Sequence, residues 1–211
     1  MKPEVLDLMN GCFQRHPVLR SCHDTVVSVF DMLIRCHTDK NMLFVCGNGG
    51  SASDAEHITG ELMNRFHKPR PLTDLTRQKL GDDEAGLYLG EKLQQAFRAV
   101  SLVSQTSLIT AIANDLGPDL VFAQQVYGYG RAGDLLWVLS TSGNSGNIIN
   151  ALRVAKSLDM QTIGFTGESG GAMGPLCDCL IKIPSDHTPI IQEYHLVLYH
   201  LMCSMIETQL F

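Results

Sequence analysis

The chain has 211 residues, of which 18% are charged and 45% hydrophobic, a balance typical of one globular domain with a sizeable core. Its net charge of −6 argues against a non-specific nucleic-acid binder, which needs a basic surface. The sequence shows no secretory leader and no apolar stretch near the ~20 residues of a membrane span. Its seven cysteines, an odd number, indicate reduced thiols packed as small hydrophobic groups. We therefore expect a cytoplasmic protein that contacts neither nucleic acid nor membrane.

The chain begins with helical periodicity and then changes to a strand pattern. Residues 4–37 place apolar side chains at the 3.6-residue spacing of amphipathic helices, so we expect an N-terminal helical segment over about residues 1–38. The apolar run Met42–Cys46 predicts a buried strand, which breaks into the glycine-rich turn Gly47–Ser51. A helical pattern follows over Asp54–Phe66. Strand, glycine turn and helix in this order present backbone N–H groups to an anion.

The helix after this first glycine turn carries a histidine and a glutamate four residues apart. The spacing puts His57 and Glu61 on one face of the helix, above the loop edge of the sheet. Taken alone, such a pair is most often a surface pair. The last helix of the chain, which carries Gln192 and His200, favours the alternative, which is a metal-ligand or acid–base pair beside the anion turn.

A long polar stretch, His67–Gln95, interrupts the alternation of strands and helices. It is broken by prolines and glycines at Pro69, Pro71, Gly81 and Gly86. Its second half, Asp83–Phe97, is compatible with a short surface helix. A connection of this length is typically a functional flap or a disordered excursion.

The rest of the chain alternates between strand and helix patterns. Four further apolar runs predict buried strands: Ala99–Val103, Leu135–Leu139, Thr162–Phe165 and Cys179–Ile183. Three further helical patterns cover Leu108–Tyr127, Ile148–Leu158 and, at the end of the chain, Ile190–Leu210. Near-continuous apolar strands between helices indicate a parallel sheet covered on both faces. Right-handed crossovers then place the loops that follow the strands along one edge.

The strand Leu135–Leu139 ends in a second glycine turn, which is rich in hydroxyl groups. Four hydroxyl residues stand with two glycines directly before a helix: Ser140, Thr141, Ser142 and Ser145. Their hydroxyls, the exposed N–H groups and the helix dipole all favour a negative charge. An ordinary helix cap needs only one hydroxyl, so we predict a phosphate site. The turn has no lysine and is therefore not a nucleotide P-loop.

Two other groups of polar residues are ambiguous from the residues alone. Asn114 and Asp115 precede a glycine, as in a turn, although a carboxylate there is equally suited to bind a sugar hydroxyl. In the last helix, Gln192 and His200 are eight residues apart, about 80° around the helix axis, so both can face one cleft. We interpret His195 in the same helix as a satisfied core or interface residue.

Four motifs, in order along the chain, resemble those of the sugar isomerase (SIS) domain family: CGNGGSASDAEH, AND, LSTSGNS and IQEYH. The resemblance covers nearly the whole chain outside His67–Gln95 and is nearest to the phosphoheptose isomerases within that family. It implies a single SIS domain over residues 1–211, with residues 67–95 as an insertion. The implied fold is a three-layer αβα sandwich around a five-stranded parallel sheet, flavodoxin-like, with additional N-terminal helices. It also implies a homotetramer with active sites between subunits.

The resemblance assigns roles to these residues and to several neighbours. Those that match phosphate ligands are Ser140, Thr141, Ser142 and Ser145. Those that would line the sugar are Asn48, Gly49, Gly50, Asn114 and Asp115, with Ser51 and Arg65 close by. One Zn²⁺ per subunit would be held by His57, Glu61, Gln192 and His200. Glu61 and His200 match the proton-transfer residues, and Glu61 and Gln192 would also contact the substrate.

These roles imply an aldose–ketose isomerase that acts on a small phosphosugar. The reaction would convert D-sedoheptulose 7-phosphate to D-glycero-D-manno-heptose 7-phosphate, opening nucleotide-activated heptose synthesis for lipopolysaccharide, capsule or another glycan. A carboxylate and an imidazole suit proton transfer through an enediol, and zinc suits the charge that develops on its oxygens. Because a glutamine oxygen is a weaker ligand, other divalent metals are alternatives to zinc.

Two departures from the family pattern and two competing functions stay open. The insertion is longer than in a typical member, and Ile190 stands where many relatives carry arginine. Both departures concern the fine specificity for the substrate.

One competing function is a non-catalytic SIS adaptor that binds the replication initiator. Such adaptors lack the acidic and histidine pair that this chain keeps as Glu61 and His200. The other is a phosphosugar-sensing SIS module, which usually accompanies a second domain.

Overall fold

The computed structural model describes residues 1–211, and its centre is a five-stranded, all-parallel sheet. The strands are β1 Leu43–Gly47, β2 Ala99–Ser101, β3 Leu135–Leu139, β4 Gln161–Thr166 and β5 Cys179–Lys182. They lie in the order β2-β1-β3-β4-β5. β1 and β3 are buried at every position because helices cover both faces, as their apolar runs predict. The strand order reverses between β1 and β3, which is where such sheets bind ligands.

The chain forms nine α-helices, of which seven cover the sheet in two layers. They are α1 Pro3–Arg15, α2 His23–Thr38, α3 Gly50–Met63, α4 Asp74–Leu80, α5 Glu84–Lys92, α6 Thr106–Asp115, α7 Val121–Tyr129, α8 Gly146–Ser157 and α9 Thr188–Leu210. On one face α1, α2, α3 and α9 pack with Val45 and Trp137 of the strands. On the other face α6, α7 and α8 pack with Phe44 and Leu136, because successive strand side chains point to opposite sides. The predicted three-layer αβα sandwich is confirmed. None of the helices has both the length and the apolar character that a bilayer crossing requires.

The single helix predicted over Leu108–Tyr127 is wrong, because the chain breaks in its middle. α6 ends at Asp115, Gly117 takes a φ of 129°, and a 3-10 turn over Pro118–Leu120 leads into α7. Proline lacks the N–H that a continuing helix needs, and its ring pushes the preceding residue out of the helical region. Asn114 and Asp115 are consequently the last residues of α6 rather than part of a turn.

The insertion after α3 is a folded helical hairpin. α4 and α5 form its arms, and each begins at a side-chain cap, Thr73 for α4 and Asp83 for α5. The two ends of the hairpin meet in an antiparallel bridge between Pro71 and Gln94. The surface helix predicted over Asp83–Phe97 is present as α5 but is shorter. A disordered excursion is therefore excluded.

A buried ion pair ties the base of this hairpin to α9. Arg70 Nε donates to Glu207 Oε1 at 2.8 Å, and both side chains are almost completely buried. The same guanidinium donates to the carbonyls of Glu61 and Leu62 at the end of α3. Glu207 also accepts from the backbone N–H groups of residues 66–68. Burial alone would raise the pKa of Glu207, but the backbone donors and Arg70 outweigh it and lower that pKa.

Glu207→Gln should lower the free energy of unfolding by about 3–5 kcal/mol, because it leaves a buried guanidinium without its counter-charge. Urea denaturation at pH 7 measures the loss. The pKa of Glu207 is depressed in the folded state, so the contribution is present at neutral pH and disappears as the pH falls through the folded pKa. The difference between wild type and variant should therefore shrink in acid.

Glu91→Gln is the matched control for this prediction, because it removes the same charge from a fully exposed pair with Lys92. Its urea midpoint should equal that of the wild type within measurement error. Equal midpoints for Glu207→Gln and Glu91→Gln would contradict the stabilising role of the buried pair.

Candidate active site

The two glycine turns meet at the carboxyl edge of the sheet, where the strand order reverses. The first turn follows β1 and opens α3, and the second follows β3 and opens α8. Asn48 and Asn147 join the two turns through reciprocal amide hydrogen bonds of 2.9 Å each. Two helix N-termini with unpaired N–H groups therefore stand side by side at this edge, an arrangement suited to an anion.

Two of the four hydroxyl groups of the second turn, those of Ser140 and Ser145, lie together, whereas Thr141 Oγ1 faces Thr188 and Ser142 Oγ accepts from the Asn144 N–H. Ser140 Oγ and Ser145 Oγ are 3.2 Å apart. Ser145 is the N-cap of α8, but its hydroxyl does not cap the helix and is available to a ligand. Gly143 has a φ of 67°, and a side chain there would overlap the carbonyl of Gly170. Only glycine accommodates this close approach, so the turn keeps one compact shape.

The beginning of α9 lies beside both turns. Thr188 Oγ1 is 3.5 Å from Thr141 Oγ1 of the second turn. Gln192, one helical turn later, packs on Gly50 of the first turn. A Cβ on Gly50 would stand 2.7 Å from Gln192 Nε2, so glycine leaves the room that the amide needs. Gln192 is therefore held at the glycine-turn end of the cleft.

Three donor atoms converge further along α3 and α9. His57 Nε2 is 3.1 Å from Glu61 Oε1 and 3.5 Å from His200 Nε2. Burial first, and then the neighbouring His57, lower the pKa of His200, which keeps its imidazole neutral at pH 7. Since Gly50 faces Gln192 and His57 faces His200, the two helices run side by side in the same direction.

The second ring nitrogen of His57 is hydrogen-bonded to the protein interior. Tyr199 Oη is 3.0 Å from His57 Nδ1 and donates to Asp54 Oδ1 at 3.3 Å. Burial first, and then the Asp54 carboxylate, raise the pKa of Tyr199, so its hydroxyl stays protonated. The orientation of the His57 ring is thus fixed from its buried side.

These three side chains fit a zinc ion in chemistry, and the two separations measured from His57 are compatible with one. Two imidazole nitrogens and a carboxylate are ordinary zinc ligands, and bonds of about 2.0–2.1 Å in a tetrahedron put ligands roughly 3.3 Å apart. The separations of 3.1 and 3.5 Å from His57 lie close to this value. As they stand, however, no group of three or more His, Cys, Asp and Glu side chains is arranged so that it could hold a metal ion. Gln192 makes no hydrogen bond to His57, Glu61 or His200, so the structure groups three of the four predicted ligands.

The other predicted sugar-lining residues are more dispersed. Asn114 Nδ2 donates to Asp115 Oδ1 at 2.7 Å, and both side chains are exposed at the end of α6. Arg65 is exposed just beyond α3, whereas Ser51 is buried under the first turn. Gly49 takes a φ of 57° as the residue before α3. None of these side chains is hydrogen-bonded to the three converging donors.

Two residues beside the three donors, Asp54 and Tyr199, were not among the predicted site residues. Asp54 lies one turn before His57, and Tyr199 directly precedes His200, so their proximity to the site was visible in the spacing. His195 is fully buried as predicted, but its ring nitrogens have no hydrogen-bond partner of normal geometry. Burial lowers the pKa of His195 to about 4, only partly opposed by the Thr166 backbone, so its ring is neutral.

Comparisons with known proteins identify the family. A family model described as SIS domain matches residues 89–167. A phosphoheptose isomerase of Bradyrhizobium sp. is 46% identical over 168 residues, which cover 80% of this chain and 73% of the relative. The chain belongs to the phosphoheptose isomerase family. A further member, from Shewanella baltica, is 38% identical over 191 residues, or 89% of this chain and 85% of the relative.

Solved structures of phosphoheptose isomerases share the architecture described above. The structure from Neisseria gonorrhoeae has a TM-score of 0.75 at 32% identity and covers 97% of both chains. The structure from Francisella tularensis has a TM-score of 0.77 at 28% identity, with 96% of this chain and 98% of the other covered. The predicted family and fold are confirmed, and these relatives give no support to the adaptor or sensor alternatives.

Gly50→Ala should disturb the isomerase site, because the new methyl group displaces the Gln192 amide from its position against Gly50. We expect kcat/KM for the sugar phosphate to fall by about tenfold or more, since small misplacements in a site are costly. Gly60→Ala on the same helix is the control. Its methyl group meets nothing within 4 Å, so activity should be unchanged and stability should rise by about 0.5–1 kcal/mol. Full activity in Gly50→Ala would show that the Gln192 position is irrelevant.

Proposed function

We propose that this chain is an aldose–ketose isomerase that converts D-sedoheptulose 7-phosphate to D-glycero-D-manno-heptose 7-phosphate. The proposal rests on one observation, the distance along α9 between the glycine turns and the acid–base residues. Gln192, beside the turns, and His200 are eight residues apart on α9, which is about 12 Å along the helix. A seven-carbon sugar phosphate in extended form spans roughly 10 Å, at about 1.5 Å per bond. Such a substrate reaches from the hydroxyl-rich turn to Glu61 and His200.

The hydroxyl-rich turn is the proposed phosphate site. Its hydroxyls and the N-terminus of α8 donate to the phosphate oxygens, and the helix dipole adds a favourable potential. The chain between phosphate and carbonyl would then lie along residues from both turns and from the end of α6. We propose these residues as sugar contacts: Asn48, Gly49, Gly50, Ser51, Arg65, Asn114, Asp115 and Gln192.

Glu61 and His200 are the proposed proton-transfer pair. Isomerisation moves a proton between C1 and C2 through an enediol, which requires one group at the carbon and another at the oxygens. Oε1 of Glu61 faces His57 Nε2 at 3.1 Å, whereas Oε2 makes no hydrogen bond and is available to take the carbon-bound proton. The neutral His200, on the facing helix, exchanges protons with the oxygens.

We propose one Zn²⁺ per subunit on His57, Glu61 and His200, with Gln192 completing the set by turning from Gly50 into the cleft. When bound there, the ion would polarise the carbonyl and stabilise the negative charge of the enediolate. Two histidine nitrogens and a carboxylate oxygen favour zinc over magnesium, which binds almost exclusively oxygen ligands.

Assembly as a homotetramer is part of the same proposal. α1 and α9 expose apolar side chains on neighbouring surfaces, including Leu6, Leu8 and Leu196, which supports a subunit contact there. A groove that includes Leu8, Val197 and His200 leads from this surface to the cleft. A second copy on this surface would border the active site. The product would feed an activation step at C1 in heptose biosynthesis.

Glu61→Gln should lower turnover of sedoheptulose 7-phosphate by about 10²–10⁴-fold, because it keeps the size of the side chain and removes the base. Glu56→Gln is the control on the same helix, since Glu56 is exposed and bonded only to Ser104. Its turnover should match the wild type. Near-wild-type turnover by Glu61→Gln refutes the base. A wild type that binds the sugar but turns over none supports the adaptor instead.

Ser145→Ala should raise KM for the sugar phosphate by about tenfold or more with little change in kcat. The reason is that one charge-assisted hydrogen bond to the phosphate, worth about 1.5–3 kcal/mol, is lost. Ser157→Ala at the other end of α8 is the control, because its hydroxyl bonds only to Val154 O. An unchanged KM in Ser145→Ala would place the phosphate elsewhere.

A further inference from the structure

We infer that Tyr199 and Asp54 are positioning residues that fix His57 in the tautomer whose unprotonated Nε2 faces Glu61 and His200. Their role is to prepare His57 as a ligand for a divalent cation, and it rests on the proposed function in placing that cation in the cleft. Neither residue touches the substrate or the metal in this assignment. Both act through His57.

The hydrogen-bond chain has a direction that its chemistry imposes. The Asp54 carboxylate can only accept, so the single hydroxyl hydrogen of Tyr199 points to Asp54 Oδ1, 3.3 Å away. The Tyr199 oxygen then has only lone pairs for His57 Nδ1, which lies 3.0 Å from it. His57 Nδ1 must therefore donate. In a neutral ring, that leaves Nε2 with a lone pair.

The lone pair of His57 Nε2 faces the Glu61 carboxylate, which can only accept, and lies next to the His200 ring. Glu61 Oε1 lies 3.1 Å from it and the Nε2 atom of His200 lies 3.5 Å from it. A nitrogen lone pair and a carboxylate oxygen 3.1 Å apart repel each other unless something positive lies between them. One proton bridges this pair, whereas a divalent cation accepts a lone pair from each of His57, Glu61 and His200.

The hydroxyl of Tyr199 can be tested without disturbing its ring. The side chain is fully buried and packs edge-on against the rings of His57 and His200, with centroids 5.5 and 4.9 Å away. Tyr199→Phe keeps these contacts and removes only the oxygen that links His57 to Asp54. The hydrogen bond between Tyr199 Oη and His57 Nδ1 also joins α9 to α3, so it holds the two ligand-bearing helices in register.

The test is a zinc titration in competition with a chromophoric chelator, using metal alone as the probe. Tyr199→Phe and Asp54→Asn should bind Zn²⁺ about 10–100-fold more weakly than the wild type, the usual effect of losing a ligand's hydrogen-bond partner. Tyr194→Phe is the control, because Tyr194 lies on the same helix and makes no hydrogen bond to the site. Its zinc affinity should equal that of the wild type.

A second measurement separates positioning from general structural support. In metal-free protein labelled with ¹⁵N-histidine, NMR should show His57 as the Nδ1–H tautomer in the wild type and in Tyr194→Phe. Tyr199→Phe should shift it towards the Nε2–H form while its thermal midpoint stays near that of the wild type. A loss of zinc affinity without a tautomer change would overturn the proposal.

Turnover of sedoheptulose 7-phosphate by the wild type is assayed in parallel. This assay distinguishes a failure of the positioning role from a failure of the proposed function. Turnover with equal zinc affinities in wild type and Tyr199→Phe overturns the positioning role and leaves the proposed function standing. Weaker zinc binding and a changed tautomer in Tyr199→Phe, without wild-type turnover, support the positioning role and refute the proposed function. A wild type without zinc affinity overturns the positioning role.

Discussion

The side-by-side packing of α3 and α9, in the same direction, sets the geometry on which the active site depends. Near the glycine turns Gly50 of α3 contacts Gln192 of α9, and about two helical turns further along His57 contacts His200. The distance between the proposed phosphate site and the proposed proton-transfer pair is therefore set by helical rise, not by a loop. Both helices belong to the larger of the two cores, so the same packing that stabilises the domain also sets the distance between these two proposed sites.

Most of the fold was predictable because its strands are buried on both faces. Every predicted strand lies within two residues of an observed one, since a continuous apolar run marks a central parallel strand unambiguously. The break at Gly117 was predicted only as one reading of the Asn114–Asp115 pair, because apolar side chains continue with helical spacing across it. Of the hairpin, the second helix was predicted and the first was not. The apolar residues of the hairpin, such as Leu75 and Leu87, stay exposed, so its helices show no clear amphipathic pattern.

The site was predictable where it is local and not where it crosses elements. The glycine turns, the hydroxyl cluster and the His57–Glu61 pair are each contained in a few consecutive residues. Gln192 and His200 were grouped from their angle around α9, but that angle hides a separation of about 12 Å along the axis. The bond from Tyr199 to Asp54 joins residues 145 positions apart and leaves no mark in the sequence pattern.

The closed base of the hairpin makes it a self-contained module. The chain leaves and re-enters the domain at one point, where Pro71 pairs with Gln94, and the Arg70–Glu207 pair lies directly beneath. Changes in the length or sequence of the arms therefore leave the end of α3 held by the same contacts. The tip of the hairpin is consequently a suitable place to graft a reporter or a binding peptide while α3 and its Glu61 remain in place.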